Sequence, residues 1–158
     1  FSGGNAGRGG HKMSMDAVRA IVDTQDLIAQ LFNIKKAENI VFTQNATYAL
    51  NTAILGTMSN GGHIVVTEMD HNSVLRPLYL LEKEGLDLTI LPADRKGMIS
   101  LTELESSIRP ETRAIICTHA SNLTGNRNDI RAIGEIAKKH KNFLFWMLHR
   151  QQESFRFP

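Results

Sequence analysis

A single cysteine, Cys117, is all the thiol chemistry in this chain of 158 residues. That excludes a disulfide framework and a cysteine-rich zinc site. Proline is equally sparse at four residues, and no glycine repeat runs through the chain, so a collagen-like fibre is excluded. Charge of one sign is also lacking, since eighteen Lys and Arg face sixteen Asp and Glu for a net charge of +2. So balanced a chain is not expected to bind nucleic acid or an acidic membrane. No apolar run approaches the length of a bilayer span, and no secretory leader is recognisable. The expectation is a soluble, cytoplasmic protein.

What is present is ordinary globular material, with 42% hydrophobic and 22% charged residues. A chain this long buries roughly 70% of its unfolded surface, enough for a real core. Residues 1–12 hold five of the twelve glycines and read as a flexible loop. A helix is expected from Ser14, its N-cap, with Val18, Ile21, Val22, Leu27, Ile28, Leu31 and Phe32 as its apolar stripe. Ile40-Val41-Phe42 reads as a short buried strand. A helix over residues 46–58 follows, with Ala49, Leu50, Ala53 and Ile54 inward. Further strands are expected at 63–67, 86–91, 113–118 and from 142. Helices are expected at 72–83, 101–108 and 129–140. Strands alternating with helices predict an α/β fold with a mostly parallel sheet. Nearly all-apolar strands predict helices on both sheet faces. No interdomain linker or internal repeat interrupts the pattern.

In such sheets, ligands bind beyond the carboxyl ends of the strands. Three segments there carry chemistry. Thr43-Gln44-Asn45-Ala46-Thr47 runs straight into a helix, whose first N–H groups suit a phosphate; equally, Asn45 or Thr47 is an ordinary N-cap. Glu68-Met69-Asp70-His71-Asn72-Ser73 places an imidazole at the mouth of the sheet, where it can stack on an aromatic ligand or move protons. The plainer reading is a capping cluster, with Asp70 or Asn72 as N-cap and His71 solvated. Thr118-His119-Ala120-Ser121-Asn122-Leu123-Thr124-Gly125 follows a buried strand, and Asn122 there could donate to a phenolate-like oxygen or simply shape a turn. The loop Gly3 to His11 lacks the Lys-Ser/Thr ending of a phosphate loop, which speaks against an ATP- or NAD-binding domain. Cys117 sits inside an apolar strand and reads as a small buried hydrophobe. His63, His119 and His140 lack metal-ligand spacing, so no metal site is expected. Lys138, Lys139 and Lys141 suit a helix C-terminus.

Five segments in this order resemble one family. They are Asn5-Ala6-Gly7-Arg8-Gly9-Gly10-His11, Val41-Phe42-Thr43-Gln44-Asn45-Ala46-Thr47, Glu68-Met69-Asp70-His71-Asn72-Ser73-Val74, Ile108-Arg109-Pro110-Glu111-Thr112-Arg113 and Thr118 to Gly125. The family is the class V aminotransferase-like group of pyridoxal-phosphate enzymes, most closely the cysteine desulfurases. The likeness reaches to about Phe145. Departures are Ala6, where the family commonly has proline, and Asn126-Arg127-Asn128 after Thr124-Gly125.

The resemblance implies part of the large domain of a fold-type I pyridoxal-phosphate transferase over residues 1–145, without the smaller C-terminal domain. It implies that Ala46 and Thr47 cradle the cofactor phosphate, that His71 stacks on the pyridine ring, and that Asn122 bonds the phenolic oxygen. The implied reaction removes sulfur from L-cysteine, leaving alanine and an enzyme persulfide that passes to a sulfur acceptor. Intact members are homodimers. The family's lysine, which forms a Schiff base with the cofactor, and its sulfur-accepting cysteine lie later than these residues. No catalytic residue is therefore assigned, and the chain is expected to be inactive, poorly stable and weak or wanting in cofactor binding. The alternatives are a fragment of another class V aminotransferase or lyase, or a non-catalytic product that associates with intact subunits.

The resemblance also implies Asp-Ala-Ala-Gln-Thr-Ala-Gly after Phe145, the Asp pairing with the pyridine nitrogen. Trp146 and Met147 stand there instead, and each has one codon. Reading from the last base of the Phe145 codon gives Leu, then a forced Asp. Permitted codon choices continue with Ala-Ala-Gln-Thr-Ala-Gly-Ile-Phe-Pro-Ile. Residues 146–158 are accordingly expected to be an out-of-frame tail, arising from a mutation or a sequencing error.

Overall fold

A computed structural model of the chain describes residues 5–7, 10–121 and 125–147. They fall into two compact units, one up to Thr43 and one from Gln44, where the sequence reads as a single domain. The first unit is built on α1 (Lys12–Leu31) and a 3-10 turn (Ala37–Asn39), tied by Gln25 Nε2 donating to Ile40 O at 2.8 Å. His11, rather than Ser14, caps α1: its Nδ1 accepts from the Ser14 N–H at 3.3 Å. Ser14 is buried within the helix and its hydroxyl donates to Asn5 O.

The expected strand at Ile40–Phe42 does not form. Val41 is 78% exposed and no strand pairs with the segment among the described residues. A short apolar run has strand composition, but the ladder needs a neighbour to take its N–H and C=O groups. The stripe on α1 is likewise real in sequence but not buried: Ile21, Val22, Leu27 and Leu31 are all exposed.

The second unit starts with α2 (Ala46–Met58), followed by β1 (His63–Thr67), α3 (Asn72–Lys83) and β2 (Asp87–Leu91). Then come α4 (Leu101–Ser106), β3 (Thr112–Thr118), α5 (Ile130–Lys139) and β4 (Phe143–Met147). β4 carries through Trp146 and Met147, whose backbones pair with Cys117 and Thr118, so the strand extends two residues past the expected end of the family likeness. All four strands are parallel, in the order β2-β1-β3-β4.

Alternate side chains in the central strands feed two cores. Ile64, Val66, Ala114 and Ile116 pack with Ile54 and Met58 of α2 and Val74, Leu78 and Leu81 of α3. Val65, Ile115 and Cys117 pack with Leu104 of α4 and Ile133 and Ala137 of α5. Helices thus cover both faces, as the apolar strands require.

At the amino end of the sheet, buried His63 joins three strands. Its Nδ1 lies 2.7 Å from Thr112 Oγ1 of β3 and its Nε2 2.8 Å from Thr89 Oγ1 of β2. Burial is the main cause holding its pKa below 6.5, with Arg109 adding to it. Both ring nitrogens are therefore engaged inside the fold, and His63 serves the sheet rather than a site.

Candidate functional site

The strand order contains one reversal. From β1 the chain moves outward to β2; from β3 it moves the other way to β4. The crevice beyond the carboxyl ends of β1 and β3 is therefore the switch point, where open α/β sheets bind ligands. The segments singled out from sequence after β1 and β3 leave from there. α2 arrives too: its last residues lead through a turn into the amino end of β1, so its first turn lies toward the carboxyl end.

The first turn of α2 is shaped by Asn45, whose Oδ1 accepts from the Tyr48 N–H at 2.9 Å. Ala46 and Thr47 then begin the helix as exposed residues. Their N–H groups have no acceptor within the helix, because there is no preceding turn.

His71 is itself the N-cap of α3, in place of the expected Asp70 or Asn72. Its Nδ1 accepts from the Ser73 N–H at 3.1 Å and lies 2.9 Å from Ser73 Oγ. A nitrogen that accepts carries no proton, so the neutral ring keeps its hydrogen on Nε2.

Asp70 turns inward instead. Only 5% exposed, it accepts from the Thr67 N–H at 3.1 Å and from Thr67 Oγ1 at 2.6 Å, both through Oδ2. These bonds fix the bend from β1 into α3. Burial raises its pKa to about 6, against the opposing pull of Thr67 and, more remotely, of Thr118. Asp70 Oδ1 and Thr118 Oγ1 are buried without a hydrogen-bond partner among the described residues.

Thr47 and His71 meet on one cavity of about 360 Å³, with Asn51, Asn72, Ser73 and Arg76 also in its wall. Asn51 stands one helical turn after Thr47, and Arg76 one turn after Asn72. Sequence reasoning passed over both Asn51 and Arg76. Their only signal was that four-residue spacing from residues already under consideration. Asn122 lies outside the described residues. Cys117 is fully buried in β3, and burial, with Asp70 adding to it, pushes its thiol up to about 12. That is the inert thiol expected from the apolar strand. Among the described residues no group of His, Cys, Asp or Glu is arranged to hold a metal, and no helix is long and apolar enough to cross a membrane.

The sequence pattern of the aminotransferase class-V family matches residues 2–147. The chain belongs to that family. It is 37% identical over 142 residues to the cysteine desulfurase IscS of Actinobacillus succinogenes, covering 87% of this chain and 35% of that protein. The IscS of Haemophilus ducreyi is also 37% identical over 142 residues, with the same coverage. The chain thus spans about a third of the length of these curated relatives.

The fold agrees. The structure of SspA in complex with cysteine matches with a TM-score of 0.83 at 29% identity, over 90% of this chain and 42% of that one. The apo cysteine desulfurase of Thermococcus onnurineus matches with a TM-score of 0.79 at 28% identity, over 88% of this chain and 35% of that one. The α/β fold expected for a fold-type I pyridoxal-phosphate enzyme is the fold observed.

The cavity fits that cofactor. Its volume lies in the range of small-molecule sites. Its wall offers a hydroxyl at the start of a helix and an imidazole and, among the described residues, no Asp or Glu to repel a phosphate.

Proposed function

We propose that this chain is a piece of a pyridoxal-phosphate-dependent cysteine desulfurase. The reaction transfers the sulfur of L-cysteine to an enzyme thiol, giving alanine and a persulfide for a later acceptor. The observation that carries the reading is the meeting of Thr47 and His71, distant in sequence, on one cavity at the switch point.

The assigned roles follow from the chemistry of each group. Thr47 offers its hydroxyl, and Ala46 and Thr47 their free N–H groups, to the cofactor phosphate at the positive end of α2. His71 presents its ring to the pyridine face, held in place by the bonds from Ser73. Asn122, which follows β3 in the sequence, is assigned the phenolic oxygen, to which its amide would donate. Bound there, pyridoxal phosphate would supply an electron sink for bond breaking at the substrate.

Two functions are left without a residue. Lys138 and Lys139 end α5, which leads into the amino end of β4 and so lies toward the far end of the sheet from the cavity. Cys117 is sealed in the core. Neither the anchoring lysine nor the sulfur-accepting cysteine is supplied by these residues, so the chain binds the cofactor weakly and does not turn over. The frame-restored Asp would replace Met147, at the carboxyl end of β4 beside Thr118. Resequencing the coding DNA across Phe145-Trp146 tests this part of the reading.

The binding reading is tested by equilibrium dialysis of the chain with pyridoxal phosphate. The expected result is weak, saturable binding that falls roughly tenfold in Thr47→Val and in His71→Ala, each equivalent to about one lost hydrogen bond or ring contact. Binding unchanged in both variants would overturn it.

A further inference from the structure

Among the described residues, Arg76 is the one with a permanent charge in the cavity wall shared by Thr47, Asn51, His71, Asn72 and Ser73. Its side chain has no ion pair or hydrogen bond among the described residues. Its own helix offers none: the positions three and four residues away are Asn72, Ser73, Tyr79 and Leu80, none of them acidic. A guanidinium with no carboxylate partner and no Asp or Glu beside it in the cavity wall, among the described residues, is matched by an anion. Arginine's planar fork favours an anion with several equivalent oxygens, held through two parallel hydrogen bonds. The cavity also takes in the first turn of α2, where the Ala46 and Thr47 N–H groups, without an acceptor in the helix, add positive potential of the same sense.

We propose that Arg76 binds the phosphate of a phosphate-monoester ligand in this cavity, together with Thr47. The identity of the ester as pyridoxal phosphate rests on the function proposed above; the anion site itself does not. Arg76 thereby becomes a specificity residue, one that separates the phosphorylated cofactor from its dephosphorylated form.

The test follows amide NMR shifts of the ¹⁵N-labelled chain during titration with three probes. They are inorganic phosphate, pyridoxine 5′-phosphate and pyridoxine, the last two lacking the aldehyde that would modify lysines. Wild type is compared with Arg76→Gln and Arg76→Lys. Arg76 is an exposed residue, and the spectrum of each variant reports its folding directly. The expected result is that phosphate and pyridoxine 5′-phosphate shift the amides at Thr47 and Arg76, that Arg76→Gln weakens both roughly tenfold, and that Arg76→Lys recovers part of the loss. Pyridoxine binding is unchanged by either variant. Equal phosphate binding by wild type and Arg76→Gln overturns the inference, while pyridoxine 5′-phosphate shifts at Thr47 and His71 would leave the cofactor reading standing. Arg76-dependent phosphate binding with no shift at His71 from either pyridoxine compound would do the reverse. Absence of shifts with all three probes would overturn both.

Discussion

Asp70 and Cys117 show how far burial, rather than residue type, governs chemistry at the mouth of the sheet. Asp70 has a carboxyl pKa raised to about 6, against 3.8 when unfolded. The folded chain therefore holds this proton more tightly than the unfolded one. Ionisation costs no stability below about pH 4, and the cost grows until it is complete above about pH 6. Two pKa units correspond to at most roughly 3 kcal/mol. Asp70→Asn removes the charge, keeps an acceptor for Thr67, and brings an N–H toward the unpartnered Thr118 Oγ1. It is expected to stabilise the chain at pH 7.5 and to match wild type near pH 4. Urea melts at the two pH values check this; a destabilised variant at pH 7.5 would contradict it. Cys117, with its thiol pushed up to about 12, is expected to resist iodoacetamide in the native chain and to react fully once urea unfolds it. Mass spectrometry of both samples decides the matter. The buried thiol was legible from its apolar neighbours. The inward turn of Asp70 was not, because an Asp before a helix looks like a cap, and only tertiary packing gave that place to His71.

At the scale of elements, capping chemistry sets the geometry of the site. Asn45 ends the extended approach to α2 and leaves the first N–H groups of that helix available. Asn45→Ala is expected to cost about 1 kcal/mol of stability in a thermal or urea melt, with Asn45→Asp losing much less. A melt in which alanine and aspartate behave alike would count against a capping role. The bounds of α2, β1 and α3 were readable from sequence, because each pairs a clear apolar run with a turn or cap at its ends. The segment Ile40–Phe42 was misread for the opposite reason. Its composition is that of a strand, but composition does not specify the neighbour a strand requires. β4 continuing through Trp146 and Met147 shows the same dependence: β3 provides a ladder for these two residues whatever their origin.

Across the whole molecule, the arrangement of the second unit makes function intelligible. One reversal of strand order, at β1 and β3, opens a crevice, and α2 and α3 both bring their first turns to it. The α/β class and the positions of Thr47 and His71 were legible because such sheets present their strand ends to ligands. Arg76 was not, because a solvated helix arginine and an anion ligand look alike until the cavity is seen. The central claim is that this mouth holds a phosphorylated pyridine cofactor. Its most direct measurement is a crystal structure of the chain grown with pyridoxal phosphate. The account predicts phosphate density at the first turn of α2 beside Thr47, with the ring against His71. Saturating cofactor bound elsewhere, with the cavity at Thr47 and His71 filled only by solvent, would contradict it.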